Sequence, residues 1–478
     1  MIEPNPNPPP PPAKGPSAPP RKALRCLMLA ALLHGIAYLL ILPPWMGEDE
    51  PWHVEYAHYI GRGYLPWGGR DISVEDMELY SASQVQLLRE IGSLPQEEIY
   101  GTQRAILDSM RLHHFYERVD WAGNGDSAQN FDAVSPYLTA THQPPLYYLA
   151  TGQLLRFSGG DVLTEMWILR SLSLLAYLAV VLGSYELARR VVEDPWIPLA
   201  CAIFAAWWPM HARQAGVVNN DCLVKVFSTW SLVVSMDLAR HGLTRKRLAW
   251  GALLAGFAIL SKSTGAGVLV PFGVACWLGV RSTRAKEIAG ESKGRLRFWI
   301  GLGLLAVLAL VPVTFFFSNN PAVPRSVGNF WARIARSTSD GFLQEFGRTS
   351  VGAFNWYSRD LPSLLQRCVG FALAVGGIGA LSTLLFKQRE IRRDLLLLCC
   401  SGVFAQLVLI FLRGTAAGRY AVPMLAAIST LLAVGWLAPL PRSLRAKGLG
   451  LLVMAVLLFD GWFLWSGLVW NQYGVWGS

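Results

Sequence analysis

The sequence LMLAALLHGIAYLLILPP occupies residues 27–44 and is followed by WMGEDEPWHVEY at residues 45–56. An apolar run of this length can cross a bilayer as a helix. Acids directly behind such a run must face water or a polar cavity, because a charge in hydrocarbon is costly. Pro51 suits the first turn of a new helix. The stretch therefore predicts a membrane-spanning helix whose exit carries three carboxylates at a rigid helix start.

The composition predicts an integral membrane protein. Of the 478 residues, 53% are apolar and 15% are charged, whereas about a quarter of the residues of a soluble domain are charged. The net charge of +10 comes from basic residues between apolar runs, so it reports topology rather than a nucleic-acid partner. The seven cysteines show no metal-ligand spacing. We therefore expect an all-α polytopic protein in a lipid bilayer, without a nucleic-acid partner.

Apolar runs of about 20 residues predict about eleven spanning helices. The basic loops between them all fall on one side if the N-terminus is cytoplasmic, as the positive-inside rule requires. We therefore expect a multi-pass protein of the cytoplasmic (inner) membrane. The predicted spans lie near 24–44, 164–188, 196–213, 221–240, 246–261, 264–280, 298–318, 361–386, 394–412, 419–438 and 448–468.

The regions outside the spans divide the chain further. Residues 1–22 are proline-rich and predict a disordered cytoplasmic tail, and residues 23–470 form the transmembrane domain. Residues 45–163 form a large first extracytoplasmic loop, and residues 319–360 form a second one. Within the first loop we expect helices near 50–61, 83–92 and 102–117, and an apolar piece at 144–157 that lies at the membrane interface.

The acids of the first loop are candidates for catalysis. Asp49 and His53 are four residues apart, so they share a helix face and could act as a base and its orienter, or bind a divalent metal ion. The alternative is that Asp49 only caps the helix that begins at Pro51. Glu48 and Glu50 are more typical of solvated loop charges, with Glu50 as the fallback base.

Further candidates lie on the same predicted side of the membrane. Asp221 opens a predicted helix, so capping is again the alternative to chemistry. Lys262 interrupts a long apolar stretch, where a lysine can also snorkel without function. Arg413 and Arg419 fall on the side that the positive-inside rule disfavours, and guanidinium groups match phosphate well. Acids and cations on one face suit a reaction with a phosphate leaving group.

Several of these motifs resemble the GT-C superfamily of polytopic glycosyltransferases, and within it relatives of family 39, of the protein O-mannosyltransferase and lipid A aminoarabinose transferase type. The resemblance rests on the first-loop acids, a Pro-Pro-Leu-Tyr-Tyr segment, an outer Asp, a Leu-x-Lys element and a late Gly-Arg-Tyr followed by proline. In this sequence they are Asp49-Glu50, Pro144 to Tyr148, Asp221, Leu260 to Lys262, and Gly418 to Tyr420 with Pro423.

The resemblance implies a GT-C-like fold and a polyprenyl-phosphate sugar as donor. It also implies that the first-loop acid is the base or a metal-binding group, and that the late arginine and the lysine hold the lipid phosphate. The sequence departs from the family in the long insertion at 70–130. It also departs at Gln143, where a basic residue is common.

Together these arguments predict an inverting glycosyltransferase on the outer face of the membrane. It would move a sugar from polyprenyl phosphate to a hydroxyl of a glycan, lipid or protein. A divalent metal ion at Asp49 and His53 is left open as the one cofactor. The predicted catalytic residues are Asp49, Glu50, His53 and Asp221, and the predicted substrate-binding residues are His142, Lys262, Arg413, Arg419 and Tyr420.

Two alternatives belong to other functional classes. A lipid-linked polysaccharide polymerase or ligase shares the phosphate leaving group, but it would rely on outer arginines and a histidine rather than an Asp-led first loop. A non-catalytic lipid-glycan transporter should carry polar residues through the bilayer midplane, and here the middle of each predicted span is almost wholly apolar.

Overall fold

The computed structural model describes residues 21–47, 49–63, 96–115, 140, 143–287, 341–351, 362–386, 388, 390–414 and 417–469. Across these ranges the ordered backbone is helical, apart from an isolated antiparallel bridge between Val192 and Ile391. The predicted all-α polytopic architecture is therefore confirmed.

The helices are numbered in chain order across the described ranges. The α-helices are α1 Arg21–Ile41, α2 Glu50–Gly61, α3 Gln96–Leu112, α4 Leu146–Leu155, α5 Val162–Val191, α6 Trp196–Trp207, α7 Pro209–Arg213, α8 Asp221–His241, α9 Arg245–Ser261, α10 Leu269–Glu287, α11 Gly341–Val351, α12 Ser363–Leu385, α13 Arg393–Arg413, α14 Leu425–Leu437 and α15 Arg442–Trp462. Short 3₁₀ segments are Gln214–Gly216, Ser263–Val268 and Gly418–Met424, and a π-helical segment follows α15 at Phe463–Val469.

Eight helical segments in the described ranges are long and apolar enough to cross a membrane. The predicted spans at 196–213 and 246–261 correspond to shorter helices, since α6 has 12 residues and α9 has 17. The predicted span at 298–318 lies outside the described residues. The number of eleven spans therefore remains a prediction. The eight segments are Arg21–Ile41, Val162–Val191, Asp221–His241, Ser263–Ser282, Ser363–Leu385, Arg393–Arg413, Gly418–Leu437 and Arg442–Trp465.

Helix α8 lies at the centre of the bundle and packs against α5, α9 and α10. The close packing of these helices buries a core of small and branched apolar side chains, which suits helix association in a membrane. Because α8 is surrounded, its first turn is buried. Asp221, the first residue of α8, is therefore held inside the protein rather than at its surface.

The helices of the predicted first loop pack on one end of the bundle, which we call the site face. Helix α2 covers the predicted range 50–61, and the helix predicted at 102–117 begins earlier, as α3. The helix predicted at 83–92 lies outside the described residues. The apolar piece at 144–157 forms α4, which packs closely on α2 at Gly61 and Gly152. The two helices together hold the first-loop acids against α5 and α8.

Candidate active site

Asp49 is presented by an unusual backbone conformation at the start of α2. Its φ of 59° and ψ of 12° lie in the left-handed region, which aspartate tolerates better than most residues. The side chain makes no capping hydrogen bond to the helix. Instead, Oδ2 of Asp49 lies 3.0 Å from Nη2 of Arg419. The capping alternative for the Asp49 side chain is therefore wrong.

Asp221 and Lys262 form a buried ion pair. Nζ of Lys262 lies 2.7 Å from Oδ1 of Asp221, and the two side chains are 5% and 1% exposed. The amide of Asp221 donates to Oδ1 of Asn219 at 2.9 Å, so the Asn219 side chain pairs with a backbone amide at the start of α8. Lys262 does not snorkel to a surface. Its extended backbone separates α9 from the next 3₁₀ segment and directs the side chain inward to Asp221.

Three cations converge on the ring of Tyr420. Arg413, Lys262 and Arg419 lie 4.6, 5.5 and 5.6 Å from the ring centroid, within the range of a cation–π contact. The backbone oxygen of Tyr420 accepts a 2.6 Å hydrogen bond from Nε2 of Gln406 on α13, which fixes the segment that carries the ring. We call Lys262, Arg413 and Arg419 the cation cluster.

The cation cluster and its two carboxylates do not balance in charge. Arg419 is paired with Asp49, and Lys262 is paired with Asp221. Nη1 of Arg413 donates to Oγ of Ser263 at 3.5 Å, and no described carboxylate pairs with it. This group therefore carries an excess of one positive charge, which attracts an anion. A phosphate is an anion that arginine and lysine bind well.

His53 is buried and contacts an aromatic neighbour. Its Nδ1 lies 2.7 Å from the hydroxyl of Tyr148, and the two rings are stacked with centroids 5.9 Å apart. Burial raises the pKa of Tyr148 well above its ordinary value, and the charges of Asp49 and Asp221 contribute to the shift. The tyrosine hydroxyl therefore stays protonated, and both carboxylates lie within its electrostatic reach.

Glu50 is fixed by hydrogen bonds to Arg170 and to two backbone amides, unlike its neighbour Asp49. Its Oε1 accepts from Nε of Arg170 at 2.8 Å and from the amide of Val218 at 3.0 Å. Its Oε2 accepts from Nη2 of Arg170 at 2.7 Å and from the amide of Gly47 at 3.0 Å. Arg170 also donates to the backbone oxygens of residues 42–43. The pair, which is fully buried, thus connects α1, α2, α5 and the approach to α8.

The structure brings together most of the predicted site residues. Asp49, Asp221 and the cation cluster meet at Tyr420, and His53 joins them through Tyr148. His142 and Glu48 lie outside the described residues. Sequence reasoning missed Arg170, although an arginine inside a predicted span is itself a signal. It also left Tyr148 without a role, although the residue belongs to the Pro-Pro-Leu-Tyr-Tyr segment.

The side chains at the site fit a metal ion poorly. In the part of the chain that the structure describes, no group of three His, Cys, Asp or Glu side chains is arranged to hold one. Asp49 is bonded to a guanidinium and His53 to a tyrosine hydroxyl. Carboxylates that already face cations suit an anionic ligand better than a second cation.

An apolar cavity of about 670 Å³ lies between α6, α12, α14 and α15. Its lining includes Trp208 and Trp462. These two side chains pack against the same apolar cluster as Val422, which follows Tyr420 by two residues. Two side chains of the cavity lining thus pack on an apolar cluster that includes part of the 3₁₀ segment Gly418–Met424.

Comparison with known proteins relates this chain to a family of membrane proteins. A family model described as "Predicted membrane protein (DUF2142)" matches residues 32–427. Two curated relatives, from two strains of Pseudomonas aeruginosa, are each named undecaprenyl phosphate-alpha-4-amino-4-deoxy-L-arabinose arabinosyl transferase. One is 33% identical over 144 residues, which are 30% of this chain and 25% of the relative. The other is 29% identical over 204 residues, which are 42% of this chain and 34% of the relative.

Two solved structures resemble the chain along most of its length. ArnT from Cupriavidus metallidurans bound to undecaprenyl phosphate is 16% identical, with a TM-score of 0.49, over 93% of this chain and 65% of that one. The Archaeoglobus fulgidus oligosaccharyltransferase in its apo form is 12% identical, with a TM-score of 0.46, over 91% of this chain and 55% of that one. Because the DUF2142 model covers most of the sequence, the chain belongs to the DUF2142 family of membrane proteins.

Proposed function

We propose that this protein is a membrane glycosyltransferase that moves a sugar from a polyprenyl-phosphate donor to a hydroxyl acceptor. The observation that carries the proposal is the meeting of two carboxylates with three cations around Tyr420. Such a group combines a base with a phosphate site. Both curated relatives have undecaprenyl phosphate in their names, which agrees with this assignment.

Asp49 is the candidate base because it is the more accessible carboxylate. Its side chain is 28% exposed, whereas that of Asp221 is 1% exposed. The acceptor oxygen attacks the anomeric carbon and gives its proton to Asp49. The bond between that carbon and the phosphate oxygen breaks, and its electron pair stays on the phosphate. Attack opposite to the leaving group inverts the anomeric configuration.

The cation cluster stabilises the charge that develops on the departing phosphate. Arg419 contacts Asp49 directly, so a donor phosphate must share this guanidinium with the carboxylate. As Arg419 turns toward the phosphate, it releases the Asp49 carboxylate to meet the acceptor hydroxyl. Donor binding would thus free the base, which the Asp49–Arg419 pair holds in place beforehand.

Glu50 and His53 act as positioning residues in this proposal. The hydrogen bonds of Glu50 leave it saturated, so it fixes Asp49 from the adjacent position. The hydroxyl of Tyr148 holds the His53 ring in the first turn of α2. Asp221 orients Lys262 toward the ring of Tyr420.

The polyprenyl chain would lie in the apolar cavity between α6, α12, α14 and α15. Trp208 and Trp462 of its lining pack against the apolar cluster that contains Val422, two residues after Tyr420, and past these residues a carrier in the cavity would present its phosphate to the cation cluster. We place the site on the outer side of the cytoplasmic membrane, with a cytoplasmic N-terminus. Basic residues at 189–190, 240–247 and 442–447 lie at the helix ends opposite to the site, as the positive-inside rule requires.

Sugar transfer by the Asp49→Asn variant tests the proposal. In membranes supplied with sugar-bearing polyprenyl phosphates, we expect transfer to fall by about 10²–10⁴-fold, the usual contribution of a general base. Asp108→Asn is the matched control, because Asp108 lies on α3 with an exposed side chain paired only with neighbouring arginines. Full activity of Asp49→Asn would contradict the mechanism.

The Arg419→Lys variant tests the phosphate role separately. Lysine keeps the charge but loses the planar fork of donors that binds phosphate with two bonds. We expect the affinity for undecaprenyl phosphate to fall by about tenfold, equal to the loss of one charge-assisted hydrogen bond. Binding as tight as that of the wild type would show that Arg419 does not hold the phosphate.

A further inference from the structure

Asn220 carries a buried hydrogen-bond acceptor that the proposed mechanism does not use. Its Nδ2 donates to the backbone oxygen of Ser261 at 3.2 Å and to Oε1 of Gln143 at 3.3 Å. Because a carbonyl oxygen only accepts, these bonds fix which way the amide points. Oδ1 therefore faces away from Ser261. Within the described ranges this buried oxygen has no hydrogen-bond partner.

Asn220 is not needed to start helix α8. The residue occupies the N-cap position, but its side chain makes no capping bond. The neighbouring Asn219 accepts from the amide of Asp221 instead. A buried acceptor without a partner costs about 1–3 kcal/mol, so a structural role alone does not account for its orientation.

Two more polar atoms without partners lie on the elements that adjoin Asn220. Oγ1 of Thr264 and Oδ2 of Asp221 are buried, and no described residue donates to or accepts from them. Thr264 belongs to the 3₁₀ segment after Lys262, which packs against α8. The Asp221–Lys262 ion pair joins these same two elements at 2.7 Å. The three atoms therefore belong to residues that form the Asp221–Lys262 pair or lie within two positions of it, and Lys262 is a member of the cation cluster.

The chemistry of the three atoms differs from that of the cation cluster. The oxygens of Asn220 and ionised Asp221 only accept hydrogen bonds, and the hydroxyl of Thr264 both donates and accepts. A phosphate diester offers no donor to such oxygens and is drawn to the neighbouring cations. A ring that carries several hydroxyl groups offers donors at fixed spacing. The two regions would thus divide a glycosyl phosphate between them.

We propose that Asn220, Thr264 and the free oxygen of Asp221 form a subsite that binds ring hydroxyl groups of the donor sugar. This inference rests on the proposed function and adds the part of the donor that the cation cluster does not contact. Sites built from buried hydrogen-bonding groups reject analogues that lack the matching hydroxyl, because the buried groups then remain without partners. The subsite would therefore set the choice of sugar, while the cation cluster sets the choice of carrier.

Binding of two kinds of probe to the full-length protein in nanodiscs tests the subsite. One probe is undecaprenyl phosphate without sugar, and the other is a panel of undecaprenyl phosphates that carry glucose, galactose, mannose or arabinose. The variants are Thr264→Val, which removes the hydroxyl at nearly constant shape, and Asn220→Ala. Ser235→Ala is the matched control, because Ser235 also carries a buried hydroxyl without a described partner on α8, several turns away from Asp221.

We expect wild-type protein to bind at least one sugar-bearing carrier more tightly than the sugar-free one. Thr264→Val and Asn220→Ala should each weaken that binding by about tenfold, equal to one lost hydrogen bond, and leave the sugar-free carrier within twofold. Ser235→Ala should change neither. Thermal unfolding of each variant identifies loss of the fold, and Thr264→Val supplies the result if Asn220→Ala does not fold.

Other outcomes separate the two proposals. If wild type binds the sugar-free carrier and no sugar adds affinity, or if the variants weaken both kinds of probe equally, the subsite is wrong and the phosphate site stands. Unchanged binding in Thr264→Val and Asn220→Ala would also overturn the subsite. If wild type binds no carrier at all, the proposed function fails and the subsite fails with it.

Discussion

The Glu50→Gln variant should lose stability, because it breaks a fully buried ion pair. Both Glu50 and Arg170 have no exposed side-chain surface, and glutamine keeps the volume of Glu50 but removes its charge. Arg170 then remains as an uncompensated buried charge, which costs about 3–5 kcal/mol. The amide donors of Gly47 and Val218 also lose a charged acceptor. We therefore expect the free energy of unfolding to fall by about that amount.

The adjacent residue provides the control. The Asp49–Arg419 pair is partly exposed, and exposed ion pairs contribute less than about 1 kcal/mol. Asparagine also tolerates the left-handed conformation of residue 49 as well as aspartate does. Asp49→Asn should thus retain nearly the full stability of the protein while it loses sugar transfer. We therefore expect Glu50→Gln to reduce stability and Asp49→Asn to reduce sugar transfer instead.

Thermal unfolding in detergent, monitored by tryptophan fluorescence, measures the stability of both variants. A transfer assay measures their activity. Replacing Glu50 and Arg170 together by methionine removes the lone buried charge but should recover only part of the stability, because the backbone groups that these side chains bonded then lack partners. If Glu50→Gln is as stable as wild type, or less damaged than Asp49→Asn, the inference that Glu50 serves structure is refuted.

Three further predictions concern the same site. Lys262→Met should weaken undecaprenyl phosphate binding by about tenfold. Asp221→Asn removes the carboxylate that pairs with Lys262, so it should strengthen binding and still reduce transfer. Equal effects of the two variants in a binding assay would contradict this prediction. Gly418→Ala should destabilise the protein by about 1–3 kcal/mol, because its Cβ would meet the backbone of Ser350 at 2.3 Å; Gly377→Ala, where nothing lies within 4 Å, is the control in the same unfolding assay. Thorough chelation should leave transfer unchanged, because the candidate metal ligands are bonded to a cation or to a tyrosine hydroxyl; activity lost and restored by Mg²⁺ would contradict this.

The membrane architecture and the polar set of the site were predictable, because both depend on local patterns. Hydropathy marked the spans, and the positive-inside rule placed Asp49, Asp221, Lys262 and Arg419 on one face. The sequence could not show which carboxylate meets which cation. The pairing of Asp49 with Arg419 and of Asp221 with Lys262 depends on how separate helices pack against one another, which no local pattern encodes.

The role of Glu50 was the hardest to predict. As a member of a three-acid run it was typical of a solvated loop charge, yet it is buried with Arg170. The interpretation that the middle of each span is almost wholly apolar did not address the buried charged groups toward the site-face ends, including Arg170, Lys225 and Asp460. Asp460, for example, accepts a hydrogen bond from Tyr38 on α1. Charges of this kind are stable in a membrane only when a partner from another helix is present.

The Asp49–Arg419 pair also constrains how the protein is made. The ribosome synthesises Asp49 near the start of the chain and Arg419 near the end of the described residues. At about 5–20 residues per second, Arg419 is synthesised roughly half a minute after Asp49. A nascent or truncated chain that lacks the late helices therefore has an incomplete candidate site, in which Asp49 lacks Arg419. We expect such chains to be inactive and to expose a polar surface at the membrane that quality-control proteases can recognise.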